Sequence, residues 1–397
     1  MRRNKLMYAV VTTAMAISLA ACGQSATTQE TTAAPAAETT TAAETTAAET
    51  TAAPDTTAAA DASVSAQDVK DMYAVTEMPG RAIDFLDLDL TPTDEEKAAM
   101  EKEPAYGKTI RYWLSDGCTS GPVVADTLGY YAEAGLTAEG VKGSSYTEAL
   151  GTGAADVAVG HIATMLVPST NGVDLTFVGG AHIGCKSIYV LADSEYQTTE
   201  DLKGTRISTP NGIGASDYNI TSMLLDADGI NPQTEVELTP VETSACVTAM
   251  QNGEISAALL SDTFAYHMVE DGTLRRIRSL QDDDFTNLPC CIIAMNGTFV
   301  KENPVISKKI AQAVQKAHSW MRENPEEATE MLIEAGLNSE DVEMNTLLNN
   351  SLQFGLSDEF TENGLRTIAE SYIRLDLITA TDDLDAVMEK AWTPVLE

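Results

Sequence analysis

From residue 108 onward, short apolar runs of strand type alternate with stretches of helical period, and that alternation leaves few possible architectures. Residues 109–114 (Thr-Ile-Arg-Tyr-Trp-Leu) read as a strand, followed by a Ser-Asp-Gly-Cys-Thr-Ser-Gly turn at 115–121. Pro122 suits a first helical position, where a missing N–H leaves no bond unmade. It predicts a helix running to Ala134, with Gly135 as the left-handed cap. Further strands are expected at 156–159, 175–178, 188–192, 206–208, 235–239, 257–260 and 291–295, with helical segments between most of them. Alternating β and α elements imply an α/β fold of parallel-type sheets covered by helices on both faces. In such sheets ligands sit beyond the carboxyl ends of the strands. The last third turns helical. Asn303-Pro304 and Asn324-Pro325 open successive helices, Gly336 closes the second, and Ile306, Ile310, Ala313, Val314, Ala317 and Met321 form a stripe expected in the core.

Ahead of this body lies a leader. Arg2, Arg3 and Lys5 precede an apolar run over 6–21 that ends in Leu19-Ala20-Ala21-Cys22. A basic head, a short apolar middle and small residues at the cut describe a secretory signal over 1–21. Thr12, Thr13 and Ser18 interrupt the run, which falls short of the roughly 20 apolar residues a membrane span needs. The end of the run resembles the lipobox of bacterial lipoproteins. That resemblance implies that Cys22 becomes the acylated first residue, carrying fatty acids such as palmitate, of an extracytoplasmic protein tethered to the bacterial cell membrane. Residues 22–66 are nearly all Thr, Ala, Glu, Ser and Pro. With nothing large to bury against the entropy of ordering, they read as a disordered linker. An acidic extension over 67–107 follows, and its segment 84–90 alternates with period two like an edge strand.

The formal net charge is −36, from 60 acidic against 24 basic residues. Phosphate binding needs clustered Lys and Arg, so nucleic acid is excluded as a partner, and long-range steering of anions is disfavoured. Of six cysteines, five remain once Cys22 is set aside, an odd number that leaves any disulfide framework incomplete. No CxxC pair marks a zinc site, and no nucleophile elbow marks a catalytic centre. No catalytic residue, metal or cofactor is assigned.

Several blocks together carry a family resemblance: residues 124–136 (VADTLGYYAEAGL), 148–160 (EALGTGAADVAVG), 201–208 (DLKGTRIS), 250–258 (MQNGEISAA) and 320–328 (WMRENPEEA). Their order and spacing, over about 105–395, resemble the nitrate/sulfonate/taurine-type solute-binding proteins of ABC importers, a family with a thiamine-pyrimidine-synthase branch. The resemblance implies a two-lobed periplasmic-binding-protein fold of type II, with a hinge and an interlobe cleft. Lobe 1 would take 108–190 and 263–397, and lobe 2 would take 191–262. It implies a monomer that carries a small molecule to an ABC permease and is not an enzyme. The pyrimidine-synthase alternative would require a pyridoxal phosphate lysine and a cytosolic supply of that cofactor, whereas the lipobox-like leader sends the chain outside. A ligand sensor without transport is a further alternative.

The resemblance also places the ligand-binding loops. The first holds Ser115, Asp116, Gly117, Cys118 and Thr119, ahead of a helix N-terminus whose dipole favours a negative group. The second holds His161 and Ile162, the third His182 and Cys185, the fourth Asn211, Gly212, Ile213, Gly214 and Asp217, and the fifth Asp262. The fourth lacks the G-x-G-x-x-G spacing of a dinucleotide fingerprint. No Arg falls in these loops, and Lys186 is the nearby strong base. Three Asp, two His and two Cys stand where an oxoanion receptor would present cations or amide donors. Burial in the core, a soft-metal or thiol-reactive ligand, and a cleft disulfide between Cys118 and Cys185 all account for that set.

Overall fold

Apolar runs bounded by turn residues produce ten strands among the described residues: β1 (Thr109–Trp113), β2 (Thr137–Val141), β3 (Val157–His161), β4 (Leu175–His182), β5 (Lys186–Leu191), β6 (Arg206–Ser208), β7 (Glu237–Thr239), β8 (Ala257–Ser261), β9 (Leu274–Ser279) and β10 (Cys291–Asn296). The computed structural model describes residues 65–74 and 80–396. The signal over 1–21, Cys22 and the linker as far as residue 64 lie outside the described residues.

The strands form two five-stranded sheets, ordered β2-β1-β3-β10-β4 and β7-β6-β8-β5-β9. Both are mixed. β10 runs antiparallel between β3 and β4, and β5 runs antiparallel between β8 and β9. This departs from purely parallel sheets for a topological reason. β5 and β10 are the strands on which the chain first enters the other sheet, and each crossing reverses its direction. β5 alternates cleanly, sending Ile188 and Val190 into the larger core and Tyr189 into a second core on the opposite face. Helices cover both sheets, giving a two-lobed α/β fold.

The sheet boundaries depart from the lobe limits read in the sequence. A break at 190/191 falls inside β5, and β9 also belongs to the second sheet, which therefore spans 186–279. The chain crosses at 183–185 and again at 280–290. At the first crossing Gly184 has φ +47°, and a Cβ there would meet Cγ of Gln281, from the second crossing, at 2.4 Å. The two crossings pass too closely for any residue but glycine.

Two other expectations fail, and two strands were not expected. The helix opened by Pro122 stops after Gly121–Thr127, because Gly129 turns left-handed (φ +77°), and resumes at Tyr130–Glu133. Residues 84–90 form no strand. The Asp84 and Asp89 carboxylates accept the backbone N–H groups of Leu86 and Thr91, two residues on, and fold the segment into local turns instead. β2 and β9 escape the sequence reading because they are edge strands with polar sequences, Thr-Ala-Glu-Gly-Val and Leu-Arg-Arg-Ile-Arg-Ser.

The acidic extension contributes to both buried cores. Helix Ala66–Met72, opened by a Ser65/Asp68 capping box, buries Val69 and Tyr73 in the second core. Tyr73 meets the Tyr189 hydroxyl at 3.2 Å, and Arg276 lies 5.2 Å over its ring. Helix Asp94–Met100 buries Met100 in the larger core and packs on helix Pro304–Glu323, where Glu96 pairs with Lys309 at 2.9 Å. A buried side chain of this size contributes roughly 1.5–3 kcal/mol. A chain starting at Lys108 would lose Val69, Tyr73, Leu90 and Met100 together. Urea denaturation should show a loss of several kcal/mol and increased binding of a hydrophobic dye; unchanged stability would mean that the extension is no part of the core.

Candidate functional site

A cavity of about 460 Å³ opens where the strands of both sheets end. Asp116, Gly117, Cys118 and Thr119 follow β1, His161 ends β3, Cys185 and Lys186 begin β5, and Asp262 and Thr263 follow β8. Asn338, Ser339, Asn345, Leu348, Asn349 and Leu352, from the C-terminal helical region, close the remaining side.

The first loop is built from its own hydroxyls. Ser115 Oγ donates to the Thr119 carbonyl and Ser120 Oγ to the Gly117 carbonyl, each at 2.7 Å. The Gly117 N–H donates to the Leu337 carbonyl at 3.3 Å, which ties the loop to the C-terminal wall and uses one of the amides expected for an anion.

Lys186 is not available to an anion either. Its ammonium pairs with Asp217, in a short contact, and donates to Ser216 Oγ at 3.2 Å. Burial alone would raise the Asp217 carboxyl, but the Lys186 charge and hydrogen bonds from Asn211 hold it below the usual carboxylate range. Burial also raises Asp262, whose Oδ1 accepts from Tyr189 at 2.6 Å and Ser187 at 2.7 Å. Its Oδ2 is buried with no partner among the described residues, and so is Nδ2 of Asn338. The cavity wall therefore holds one orphan acceptor and one orphan donor, groups that are otherwise costly to leave unmade.

The deepest part of the wall is thiol-rich. In the register of β10, Cys291 lies opposite His161 on β3 and opposite His182 on β4. The sheet thus sets His, Cys and His in one row. Cys185 Sγ lies 3.5 Å from His161 Nε2 and 3.5 Å from Cys290 Sγ. Hydrogen bonds from Cys185 and Cys291 lower the Cys290 thiol to about 6 against the effect of burial, while burial pushes Cys291 up. Cys118, Cys185, Cys246, Cys290 and Cys291 are all free thiols.

Asp116, Gly117, Cys118, Thr119, His161, Cys185 and Asp262 line one cavity. Ser115 turns into its own loop, Ile162 is buried, and His182 lies fully buried behind the wall. Asn211, Gly212, Ile213 and Gly214 do not line the cavity. Asp217, turned inward to Lys186, accepts the Asn211 N–H and holds that loop to itself, and Ile213 is 85% exposed. The sequence reading missed the wall at 336–352. Its signal was present: Asn345 and Asn349 stand four apart on one helix face, with Leu348 and Leu352 beside them.

The family model described as NMT1/THI5 like matches residues 119–328, more than half of the chain. The chain belongs to the NMT1/THI5-like family. No curated protein matches this family member by sequence. Solved structures do. The alkanesulfonate-binding protein SsuA from Xanthomonas axonopodis pv. citri, bound to MOPS, has a TM-score of 0.58 at 18% identity, over 73% of this chain and 99% of its own. The periplasmic aliphatic sulphonate-binding protein SsuA from Escherichia coli has a TM-score of 0.57 at 17% identity, over 72% and 92%. The desulfurization enzyme DszB has a TM-score of 0.50 at 14% identity, over 72% and 97%. At these identities the likeness is one of fold.

Two measurements probe these electrostatics. Lys186→Met would leave the Asp217 carboxylate buried and unpaired, a change that costs about 3–5 kcal/mol. Urea denaturation should show that loss, and Lys186→Met with Asp217→Leu should recover most of it; a single-variant loss below about 1 kcal/mol would match a solvent-screened pair instead. His267 contacts Glu270 at 2.8 Å and Asp341 at 2.9 Å, joining helix Asp262–Glu270 to the N-cap of helix Val342–Ser351. The Glu270 hydrogen bond raises its pKa above 6.5. The contribution is therefore complete below pH 6.5 and lost as pH rises through the raised value. It should stay below about 1 kcal/mol, since His267 is mostly exposed. Unfolding curves between pH 5 and pH 9 should differ between the wild type and His267→Gln only at the acidic end.

Proposed function

We propose that this protein is an extracytoplasmic, lipid-anchored receptor that binds a small organic molecule and delivers it to an ABC importer in the membrane. One observation carries the reading: loops from the carboxyl ends of both sheets, which are joined by two close crossings, line a single cavity of ligand size. Binding across such a gap favours a closed arrangement, because the ligand touches both halves only there. Membership of the NMT1/THI5-like family and the binding-protein fold of its neighbours support it.

The wall favours a neutral, partly apolar ligand. Leu337, Leu348 and Leu352 offer apolar surface, Asp262 and Asn338 offer an orphan acceptor and donor, and Lys186, the one cation lining the cavity among the described residues, is already paired. A sulfonate would need to displace Asp217 from Lys186 or rely on amides alone. Cys22 after the leader supports the anchor, and the acidic surface supports a monomer without nucleic-acid partners. We read the site as a receptor rather than an enzyme, although a neighbour of the same fold is an enzyme.

The test uses the mature chain with Cys22→Ser, screened by thermal shift against taurine, aromatic sulfonates, pyrimidines and flavin-like heterocycles. A ligand at 100 times its Kd adds about 2.7 kcal/mol. A true ligand should raise Tm, reduce the radius of gyration in small-angle scattering and be recovered chemically unchanged. Binding without compaction, or recovery of an altered product, would count against a receptor. In cells, labelled palmitate should be incorporated into the wild type and not into Cys22→Ala.

A further inference from the structure

We propose that the deep wall of the cavity is a binding site for a thiophilic d10 metal ion, Zn²⁺ or Cu⁺, built from two donor sets that share Cys291. In the first set, donor atoms of His161, Cys185, Cys290 and Cys291 all lie within 4.8 Å of one another; in the second, those of Cys118, His182 and Cys291 do.

The spacing matches what such an ion requires. Zinc–sulfur and zinc–nitrogen bonds of about 2.3 and 2.0 Å in a tetrahedron place neighbouring donors roughly 3.3–3.8 Å apart. Cys185 Sγ stands 3.5 Å from both His161 Nε2 and Cys290 Sγ. Three thiols and one imidazole form a common structural zinc set and suit Cu⁺ as well. The histidine behind them is already oriented. His182 is fully buried, and its Nδ1 lies 2.8 Å from the Ile183 carbonyl, so Nδ1 must carry the proton and donate. Nε2 is left with its lone pair and no partner among the described residues. A backbone carbonyl fixing the far nitrogen is the usual support of a ligating imidazole.

The backbone is committed to this arrangement. Cys185 has φ 144°, a region that residues with a Cβ rarely occupy, and such strain persists where surrounding structure over-determines it. The register of β10 between β3 and β4 fixes Cys291 beside both histidines. Cys118, His161 and Cys185 face the cavity, which gives an ion a way in. The donors come from four separate segments of the chain, so no local spacing announces them.

The inference rests on the fold and not on the transport reading; loss of one leaves the other standing. The mature chain with Cys22→Ser, reduced and anaerobic, would be titrated with Zn²⁺ and with Cu⁺ against chromophoric chelators, and with Co²⁺ as a spectroscopic probe. At least one equivalent should bind, with thiolate-to-cobalt charge-transfer bands and a rise in Tm. Cys291→Ser, and separately Cys185→Ser with Cys290→Ser, should weaken binding by at least about 100-fold, the upper end of what outer-shell changes cost. Cys246→Ser, a buried thiol outside both sets, should bind as the wild type does. Circular dichroism of the metal-free variants separates lost ligation from lost folding. Absence of the charge-transfer bands, equal affinity in Cys291→Ser and Cys246→Ser, or conversion of these thiols to disulfides in air with no metal taken up by the reduced protein would overturn the site.

Discussion

The structure depends on the reversed insertion of one strand into each sheet. β10 pairs with β3 and β4 along its whole length, and every one of its residues is buried. β5 runs likewise between β8 and β9, with its four middle residues buried. A central strand must satisfy its backbone groups on both sides and bury both faces. The chain can therefore leave one sheet for the other only at the strand ends, where the ladders finish. That is why both crossings meet at one edge, why the cavity lies beside them, and why Cys185, Lys186, Cys290 and Cys291 gather there.

The charge of the whole molecule and the charge of the cavity follow different rules. A net charge of −36 sets the long-range field and repels anions approaching from solvent. Inside the wall, the outcome is decided over a few ångströms. Lys186 and Asp217 neutralise each other where burial would penalise either alone. Asp262 sits deeper among hydroxyls, with its pKa raised and one oxygen unpartnered. Both scales disfavour a fixed anion, by repulsion outside and by the pairing of Lys186 with Asp217 within.

Much of the fold was legible in the sequence because burial on both faces writes a continuous apolar run. β3, β4, β8 and β10 are such runs and matched within a few residues; β1 and β6 matched as well, although Arg111 and Arg206 interrupt the run there. The edge strands β2 and β9 were not legible. Half exposed, they carry Glu and Arg, and Arg275 and Arg276 serve neighbouring carbonyls and Tyr73 rather than a core. The false strand at 84–90 shows the converse, an alternation generated by Asp turns. At the site, the loops after β1, β3 and β8 were readable because their positions follow from strand ends. The exposed loop at 211–214 resembled them in its glycines but lacked a neighbour to close over it. The wall at 336–352 was hidden because a helix carrying Asn at two inward positions reads as a weak helix until its partner surface is known.

That wall bears on how the two halves can move. Helix Val342–Ser351 packs against the loop after β1 and against helix Asp262–Glu270 of the second half. Its cap residue Asp341 pairs with His267, Glu343 pairs with Lys70 of the extension at 2.6 Å, and Ser351 receives Gln281 from the second crossing at 2.8 Å. A rotation about the crossings would part Asp262 and Thr263 from Asn345 and Asn349, and would break the His267 pair along the same seam. The two ion pairs at that seam are exposed and individually weak, whereas the Gln281–Ser351 bond is buried and Met344 and Leu348 enter the second core. Val69 and Tyr73 are buried in that same second core and would travel with the second sheet. Contact between the halves is thus partly ionic and screened and partly buried, as where Asn219 donates to the Ala163 carbonyl at 2.7 Å, and a ligand touching both sides adds to it only when they close.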